Sequence, residues 1–166
     1  SNVTSLQANL ASFIGRTESV MALQEVNSSA AQCKQIRATL KRHSKFFTWG
    51  QTRKDSDAVS ENRGGGCAFI TSRPTIQPPL ALDLSDDEAV RCHSVFLQLA
   101  HGGVACFVSI YLWGKSTPHS TELNNALLLK VQEWAYALGR IPVFVCGDFN
   151  LDISDSEVVS QMKAFG

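Results

Sequence analysis

The sequence lacks a surplus of either charge, and charged residues are few for its length. Its 166 residues carry 15 Lys and Arg against 15 Asp and Glu, and only 18% are charged. A balanced chain has no global field that would attract nucleic acid, so any phosphate binding must come from a local patch or a metal ion. The hydrophobic content of 44% indicates one compact domain with a buried core over residues 1–166.

The sequence also lacks signals for export or membrane insertion. Its apolar runs are far too short to cross a bilayer, and no basic region followed by an apolar stretch and a cleavage site opens the chain. The five cysteines are odd in number and form no CxxC pair of the kind that binds zinc. These absences favour an intracellular protein with reduced, buried thiols, with disulfides as the alternative.

Two common functional motifs are missing as well. The four histidines are scattered without a ligand-spaced pair, which favours strand-face or solvated roles over metal binding. The glycines at 64–66 are followed by a strand and by neither GKS nor GKT, so they do not form a P-loop. They instead predict a bulge or a close approach of the backbone.

The chain contains an alternation of apolar strands and amphipathic helices. The predicted helices cover 5–15, the segment from Asn27 or Ser28 to about His43, the segment from Thr117 to Gly139, and a last helix after Ser154. The basic outer face of the second helix indicates a solvated surface. The predicted strands cover 20–26, 46–49, 67–70, 91–100, 104–113 and 141–146. The pattern predicts one α+β domain.

The segments that connect these elements also have recognisable sequence patterns. Residues 51–63 are polar and aperiodic, which predicts an exposed loop. Pro74, Pro78 and Pro79 rule out regular structure for several residues after the strand at 67–70. The sequence His101-Gly102-Gly103 offers the positive φ of a tight hairpin between the strands on either side.

Polar side chains follow three of the predicted strands. Glu25 ends one strand, Asp148 and Asn150 follow another, and Tyr111 lies near the end of a third. Two carboxylates, an amide and a phenol can therefore converge at one sheet edge. Magnesium prefers one or two protein carboxylates and otherwise water or phosphate, so this composition suits hydrolysis of a phosphate ester. Taken singly, each of these residues is better explained by an ordinary role, Glu25 as a surface carboxylate at a strand end and the residues around Asp148 as a turn.

The order of the motifs resembles one family. Along the chain come Asn2-Val3, the LQE triplet ending at Glu25, GGCAFI over 65–70, Tyr111 after a strand, and GDFN over 147–150. This series resembles the endonuclease/exonuclease/phosphatase superfamily. The glycine-rich segment at 63–66 and the single helix between Tyr111 and Asp148 look most like the abasic-endonuclease-type domain of non-LTR retrotransposons.

The resemblance implies a role for each matched residue. Glu25 and Asn2 would bind magnesium or manganese, and Asp148 would orient or deprotonate the attacking water or protonate the leaving oxygen. Asn150 would donate hydrogen bonds to the charge developing on phosphorus, and Tyr111 would bind a phosphate oxygen or assist the leaving group. Tyr111 is the least secure match, because Leu112-Trp113-Gly114 follows where the family places proline.

A further phosphate contact is predicted from the polar loop itself. Arg63, together with Arg53 and Lys54, lies on this loop, where it can contact the phosphates of a substrate. A merely solvated loop is the alternative.

The chain departs from the family at its end. The Ser-Asp-His series with which the superfamily finishes is absent, and the chain begins at Ser1 without an initiator methionine. The expected fold is therefore a partial four-layer αββα sandwich of the DNase I-like type, holding the N-terminal portion with an incomplete second sheet. We expect the chain alone to bind magnesium weakly, to self-associate through the open inner face of the hairpin at 91–113, and not to nick plasmid DNA.

Three functions follow from these observations. A metal-dependent DNA endonuclease is the leading hypothesis. The alternatives are a lipid or inositol-phosphate phosphodiesterase or RNA deadenylase of the same fold, and a non-catalytic remnant that binds a partner.

Overall fold

The computed structural model describes residues 6–51, 66–114, 117–150, 156 and 158–161. In chain order the elements are α1 (Leu10–Ile14), β1 (Val20–Leu23), α2 (Ala30–Arg42), β2 (Phe46–Trp49), β3 (Ala68–Thr71), α3 (Asp86–Ala89), β4 (Cys92–Gln98), β5 (Val104–Tyr111), α4 (Pro118–Ala137) and β6 (Val143–Asp148). Residues 158–161 are also helical. The predicted α+β class is confirmed.

The helices begin where side chains can accept their first backbone N–H groups. Ser29 caps α2 in a capping box with Gln32, one or two residues later than predicted. Asn27 cannot take this role, because its φ of 42° lies in the left-handed region and a capping residue needs extended backbone. At its C-terminal end, α4 stops just before Gly139, whose φ of 68° is the left-handed conformation predicted there.

The sequence prediction missed α3. This single turn begins after Ser85 and is held by a capping box with Glu88. Lys130 on α4 also contacts Glu88, with Nζ and Oε2 2.7 Å apart. A four-residue helix is too short to show helical periodicity, so only its capping residues mark it in the sequence.

The strands form two sheets of three. The first has the order β1-β3-β2 and is antiparallel, and the second has the order β4-β5-β6 with β6 parallel to β5. Parallel pairing requires a crossover, which α4 provides between β5 and β6. Gly102, with a φ of 85°, lies in the predicted β4–β5 turn.

The two sheets pack face to face, with helices on the outer sides. Leu23, Phe47 and Ile70 share a core with Ile36 and Leu40 of α2. On the other side, a second core joins β4 and β5 to α4, with Phe96, Val108, Ile110, Leu127 and Val131 among its members. Within the described residues the architecture is therefore four layers, helix, sheet, sheet and helix.

The expectation of an open inner face on the hairpin is wrong for most of its length. Val95, Leu97 and Ala105 point away from α4 and are at most 5% exposed. Phe69 of β3 covers this face, with its ring centroid 6.0 Å from that of His93. The sequence predicted an incomplete second sheet, whereas the described strands form two sheets of three that bury each other.

A patch of the inner face remains exposed at β6. Phe144 is 53% exposed and stacks on Phe107 with ring centroids 5.1 Å apart. Among the described residues β6 pairs with β5 alone, so its outer edge presents unpaired backbone groups. The predicted sticky surface therefore lies at this edge.

We expect the isolated chain to form concentration-dependent oligomers through this edge, and Phe144→Ser to reduce them by removing the exposed ring. Light scattering over a dilution series measures the effect. Tyr136→Ser is the matched control, because Tyr136 is 55% exposed on α4 and lies on the other side of the domain. Equal oligomerisation of the Phe144 variant and the parent chain would contradict the assignment.

The cysteines agree with the sequence prediction. All five thiols are free, and four of them are buried. Burial raises the pKa of Cys33 to about 11 and that of Cys67 to about 12, so these thiols stay protonated. No described helix is long and apolar enough to cross a membrane.

His93 lies between the sheets and makes stability depend on pH. Its Nε2 is 3.2 Å from Thr48 Oγ1, and burial lowers its pKa to about 4 from an ordinary 6.5. Protonation is therefore disfavoured in the fold. The stability contributed by neutral His93 is complete above pH 6.5 and is lost as the pH falls toward 4, by up to about 3 kcal/mol.

We expect His93→Gln to flatten the unfolding free energy between pH 6.5 and pH 4, because glutamine can still bond to Thr48 and does not titrate. Urea unfolding of both proteins across this range measures the difference. Identical pH profiles would show that the buried imidazole is not the cause.

Candidate active site

Glu25 lies directly beyond the end of β1 in an unusual backbone conformation. Its φ is 54°, in the left-handed region that non-glycine residues seldom adopt. Such residues cost about 1–3 kcal/mol and cluster at functional sites. The turn continues through Val26, whose N–H donates to Gly66 O at 3.1 Å. Gly66 has a φ of 94°, which accounts for glycine at the end of the triple-glycine segment.

The preceding residue fixes Glu25 relative to the second sheet. The buried Gln24 side chain donates from Nε2 to Ser109 Oγ at 2.8 Å, and Ser109 Oγ donates to Leu23 O at 3.2 Å. Ser109 and Tyr111 are two residues apart on β5 and therefore lie on the same face. The glutamine of the LQE triplet thus joins the sheets at the position that brings Glu25 beside Tyr111.

Tyr111 donates a hydrogen bond from Oη to Glu25 Oε1. Burial, the bond to Glu25 and the negative charges of Glu25 and Asp148 together raise the pKa of Tyr111 to about 12, against the lowering effect of Arg91. The phenol therefore stays protonated near neutral pH. It can act there as a hydrogen-bond donor and not as a base.

This contact can be measured without substrate or metal. The chain has two tyrosines, Tyr111 and the 55% exposed Tyr136. We expect absorbance titration to resolve a tyrosine that ionises near pH 12, and Glu25→Gln to lower that pKa by removing the charge that opposes ionisation. An unchanged titration in the variant would show that Glu25 and Tyr111 are not in contact.

Asp148 and Asn150 lie at the same sheet edge, Asp148 as the last residue of β6 and Asn150 in the turn that follows. Asp148 is the neighbour of Tyr111 in the parallel pairing, and its backbone O accepts from Leu112 N at 3.0 Å. Asn150 has a φ of 47°, and its N–H donates to Asp148 Oδ1 at 3.2 Å. Its Nδ2 donates to Leu112 O at 2.9 Å. The residues after Asp148 therefore do form a turn, as the alternative interpretation of the sequence had it. The same turn holds the Asp148 and Asn150 side chains at the sheet edge.

A steric constraint explains why position 147 in the same motif is glycine. A Cβ at this position would lie 1.8 Å from Ile110 O and 2.7 Å from Ile110 C. The backbones of β5 and β6 approach so closely that no side chain can be accommodated. Glycine is therefore required for the strand pairing that places Asp148 beside Tyr111.

Sequence reasoning missed two residues that shape this edge. The Arg91 guanidinium lies 5.2 Å from the ring centroid of Tyr111 and 4.4 Å from that of Trp113. Asn124 of α4 accepts from Trp113 N at 2.8 Å and donates to Trp113 O at 3.1 Å. Arg91 gives no signal in the sequence, whereas Asn124 is a polar residue within the apolar face of its helix.

The structure brings together four of the six predicted site residues, namely Glu25, Tyr111, Asp148 and Asn150. The predicted metal ligand Asn2 and the predicted phosphate contact Arg63 lie outside the described residues. Trp113 is a half-buried aromatic beneath Arg91. Its backbone N–H donates to Asn124 Oδ1 at 2.8 Å, a bond that proline could not make.

The donor set fits a hard divalent cation. Glu25 and Asp148 are both half-buried carboxylates, and both act on the pKa of Tyr111 between them. Magnesium is held by one or two carboxylates together with water or substrate oxygens. Within the part of the chain described, no group of three or more His, Cys, Asp or Glu side chains could hold a metal ion. A sparse, carboxylate-based site is the type that these residues can form.

Comparison with known proteins shows the fold. No family model and no curated protein matches the sequence. Among solved structures, the catalytic domain of human Nocturnin with bound sulfate matches 94% of this chain and 58% of its own, with a TM-score of 0.64 and 19% identity. An AP endonuclease from Archaeoglobus fulgidus matches 90% of this chain and 55% of its own, with a TM-score of 0.63 and 14% identity.

A third matching structure contains bound metal ions. A beta toxin mutant from Staphylococcus aureus with bound magnesium ions matches 95% of this chain and 60% of its own, with a TM-score of 0.61 and 14% identity. The protein therefore has the fold of these structures, the DNase I-like fold. It spans less than two thirds of the length of each of these three chains.

Proposed function

We propose that this chain carries part of the active site of a divalent-metal-dependent phosphodiesterase that cleaves DNA. The observation that carries the proposal is the convergence of Glu25, Tyr111, Asp148 and Asn150, from three separate strand ends, at one edge of a DNase I-like fold. Two carboxylates that could hold a divalent cation, beside a protonated phenol, suit cleavage of a phosphodiester. The abasic-endonuclease-type sequence motifs support DNA as the substrate.

Each residue has a distinct part in the proposed reaction. Glu25, with Asn2, would hold magnesium or manganese, which when bound polarises the phosphate. Asp148 would take a proton from a water molecule as the oxygen of that water attacks phosphorus. The bond from phosphorus to the leaving oxygen would break, and the leaving oxygen would take a proton from solvent. Asn150 uses one N–H of its amide for Leu112 O, and the other would donate to a phosphate oxygen.

Tyr111 and Arg91 would supply the remaining polar environment. The raised pKa keeps Tyr111 protonated, so it would donate to a phosphate oxygen or to the leaving oxygen. Arg91 places a positive charge beside the phenol, where the charge developing on the phosphate would be stabilised. The finer assignment to a non-LTR retrotransposon endonuclease rests on the sequence motifs. A reverse-transcriptase segment in the reading frame beyond Gly166 would support it.

A substrate panel tests the proposal. The protein expressed from its full reading frame is assayed in magnesium and in EDTA on abasic duplex DNA, supercoiled plasmid, poly(A) and sphingomyelin. Magnesium-dependent cleavage of either DNA, lost in Asp148→Asn, is the expected result. Cleavage confined to poly(A) or sphingomyelin would replace the DNA assignment with one of the alternative chemistries. No cleavage of any ester would favour the non-catalytic remnant.

A further inference from the structure

The strongest local charge in this neutral chain lies in one segment. Residues 26–54 contain no Asp or Glu, and they contain seven of the 15 Lys and Arg residues: Lys34, Arg37, Lys41, Arg42, Lys45, Arg53 and Lys54. Such segregation produces a positive surface that the net charge conceals. The sequence pattern indicated only a solvated helix face here, and the structure gives this face more definite features.

Three of these basic side chains form a stripe along α2. Lys34, Arg37 and Lys41 follow the spacing of one helix face, and all three are exposed. In the described part of the chain the only ion pairs are Arg16 with Glu18 and Lys130 with Glu88, so no described carboxylate neutralises the stripe. From Lys34 to Lys41 the helix rises by roughly 10 Å, about three base-pair rises of one DNA strand.

An aromatic side chain continues the stripe onto β2. The Arg37 guanidinium lies 4.3 Å from the ring centroid of Trp49, and its Nε donates to Phe47 O at 3.1 Å. This pair is fixed in place and only partly buried. The ring and the bond to Phe47 O hold the Arg37 guanidinium in place, and its remaining N–H groups can donate to phosphate oxygens. The exposed positions between the basic residues are occupied by Gln35 and Ala38, which give no apolar anchor for a lipid surface.

The stripe meets the first sheet at Trp49, which lies at the same end of that sheet as the candidate active site. Trp49 and Leu23 are both paired with Ala68 of the central strand β3, and Glu25 follows Leu23 by two residues. Two strand spacings separate β1 from β2, which is roughly 10 Å. A duplex with one phosphate at Glu25 can therefore extend across Trp49 and Arg37 toward α2.

We propose that the face formed by Lys34, Arg37, Lys41 and Trp49 binds the backbone of duplex DNA beside the cleavage site. This face is separate from the residues assigned to catalysis, and the proposal rests on the proposed function for the identity of the substrate. It supplies the local patch that a chain of zero net charge needs in order to bind a polyanion.

The test is DNA binding measured without chemistry. Fluorescence anisotropy in EDTA follows a labelled 20-base-pair duplex across a range of salt concentrations. We expect Lys34→Gln/Lys41→Gln to bind about 10- to 100-fold more weakly at 0.1 M salt, and the slope of log K against log salt to fall by about 2. The matched control is Arg73→Gln/Arg140→Gln, which removes the same charge from two exposed positions elsewhere.

Several outcomes would overturn the proposal: a parent chain that does not bind the duplex, a double Lys variant with the parent slope, or an equal loss in the control. Binding of phosphatidylserine vesicles by the parent chain without binding of the duplex would also overturn it, in favour of a membrane surface. A different result would contradict the proposed function alone. If no ester is cleaved in magnesium but the two double variants still differ in EDTA, the surface stands as a binding site alone.

Discussion

Glu25→Gln is expected to lower magnesium-dependent cleavage by about 10²- to 10³-fold in the protein expressed from its full reading frame. Glutamine retains the size of the side chain and removes the charge that would hold the metal. The amide oxygen of glutamine can still accept the Tyr111 hydrogen bond, so the substitution removes the charge and keeps the contact. The change acts at the site and leaves the cores unaltered, so the fold should persist. Plasmid nicking at fixed magnesium measures the loss, and circular dichroism confirms folding.

The control for this change is Glu18→Gln. Glu18 is an exposed carboxylate that pairs with Arg16 at 3.0 Å, so its replacement alters the net charge equally, away from the site. It should leave cleavage at the parent rate. Full nicking activity in Glu25→Gln would remove Glu25 from the metal site and with it the proposed mechanism.

Gly147→Ala is expected to destabilise the fold by about 3 kcal/mol or more, because the new methyl group would lie 1.8 Å from Ile110 O. Relief requires β5 and β6 to separate where Ile110 pairs with Gly147. Asp148, the next residue, would then leave its position beside Tyr111. Urea unfolding measures the stability, and hydrogen exchange of the β5 amides shows whether the pairing has opened.

Gly15→Ala is the matched substitution. Gly15 has a φ of −75°, and a Cβ there meets nothing within 4 Å, so alanine should change stability by less than about 0.5 kcal/mol. Equal unfolding midpoints for the two variants would show that the close approach at Gly147 does not exist in solution.

The sequence by itself determined the class of the fold and most of the strands. It also predicted four candidate site residues that the structure describes at one sheet edge. Alternation of apolar residues marks a strand whatever it packs against, and a polar residue at a strand end is visible without knowing its neighbour. The motif that ends at Glu25 and the motif that begins at Gly147, in that order along the chain, indicated that the fold is of the DNase I-like type. Each of these signals is local in the chain.

Only the tertiary structure decided which strands share a sheet and which residues meet. Glu25 and Tyr111 are 86 residues apart, and they touch because the buried bond from Gln24 to Ser109 joins two sheets at one register. The same packing covers the hairpin face that the sequence left open, and it places Arg91 against Tyr111 without any motif. Such contacts depend on shape and burial between distant segments, which no local pattern records.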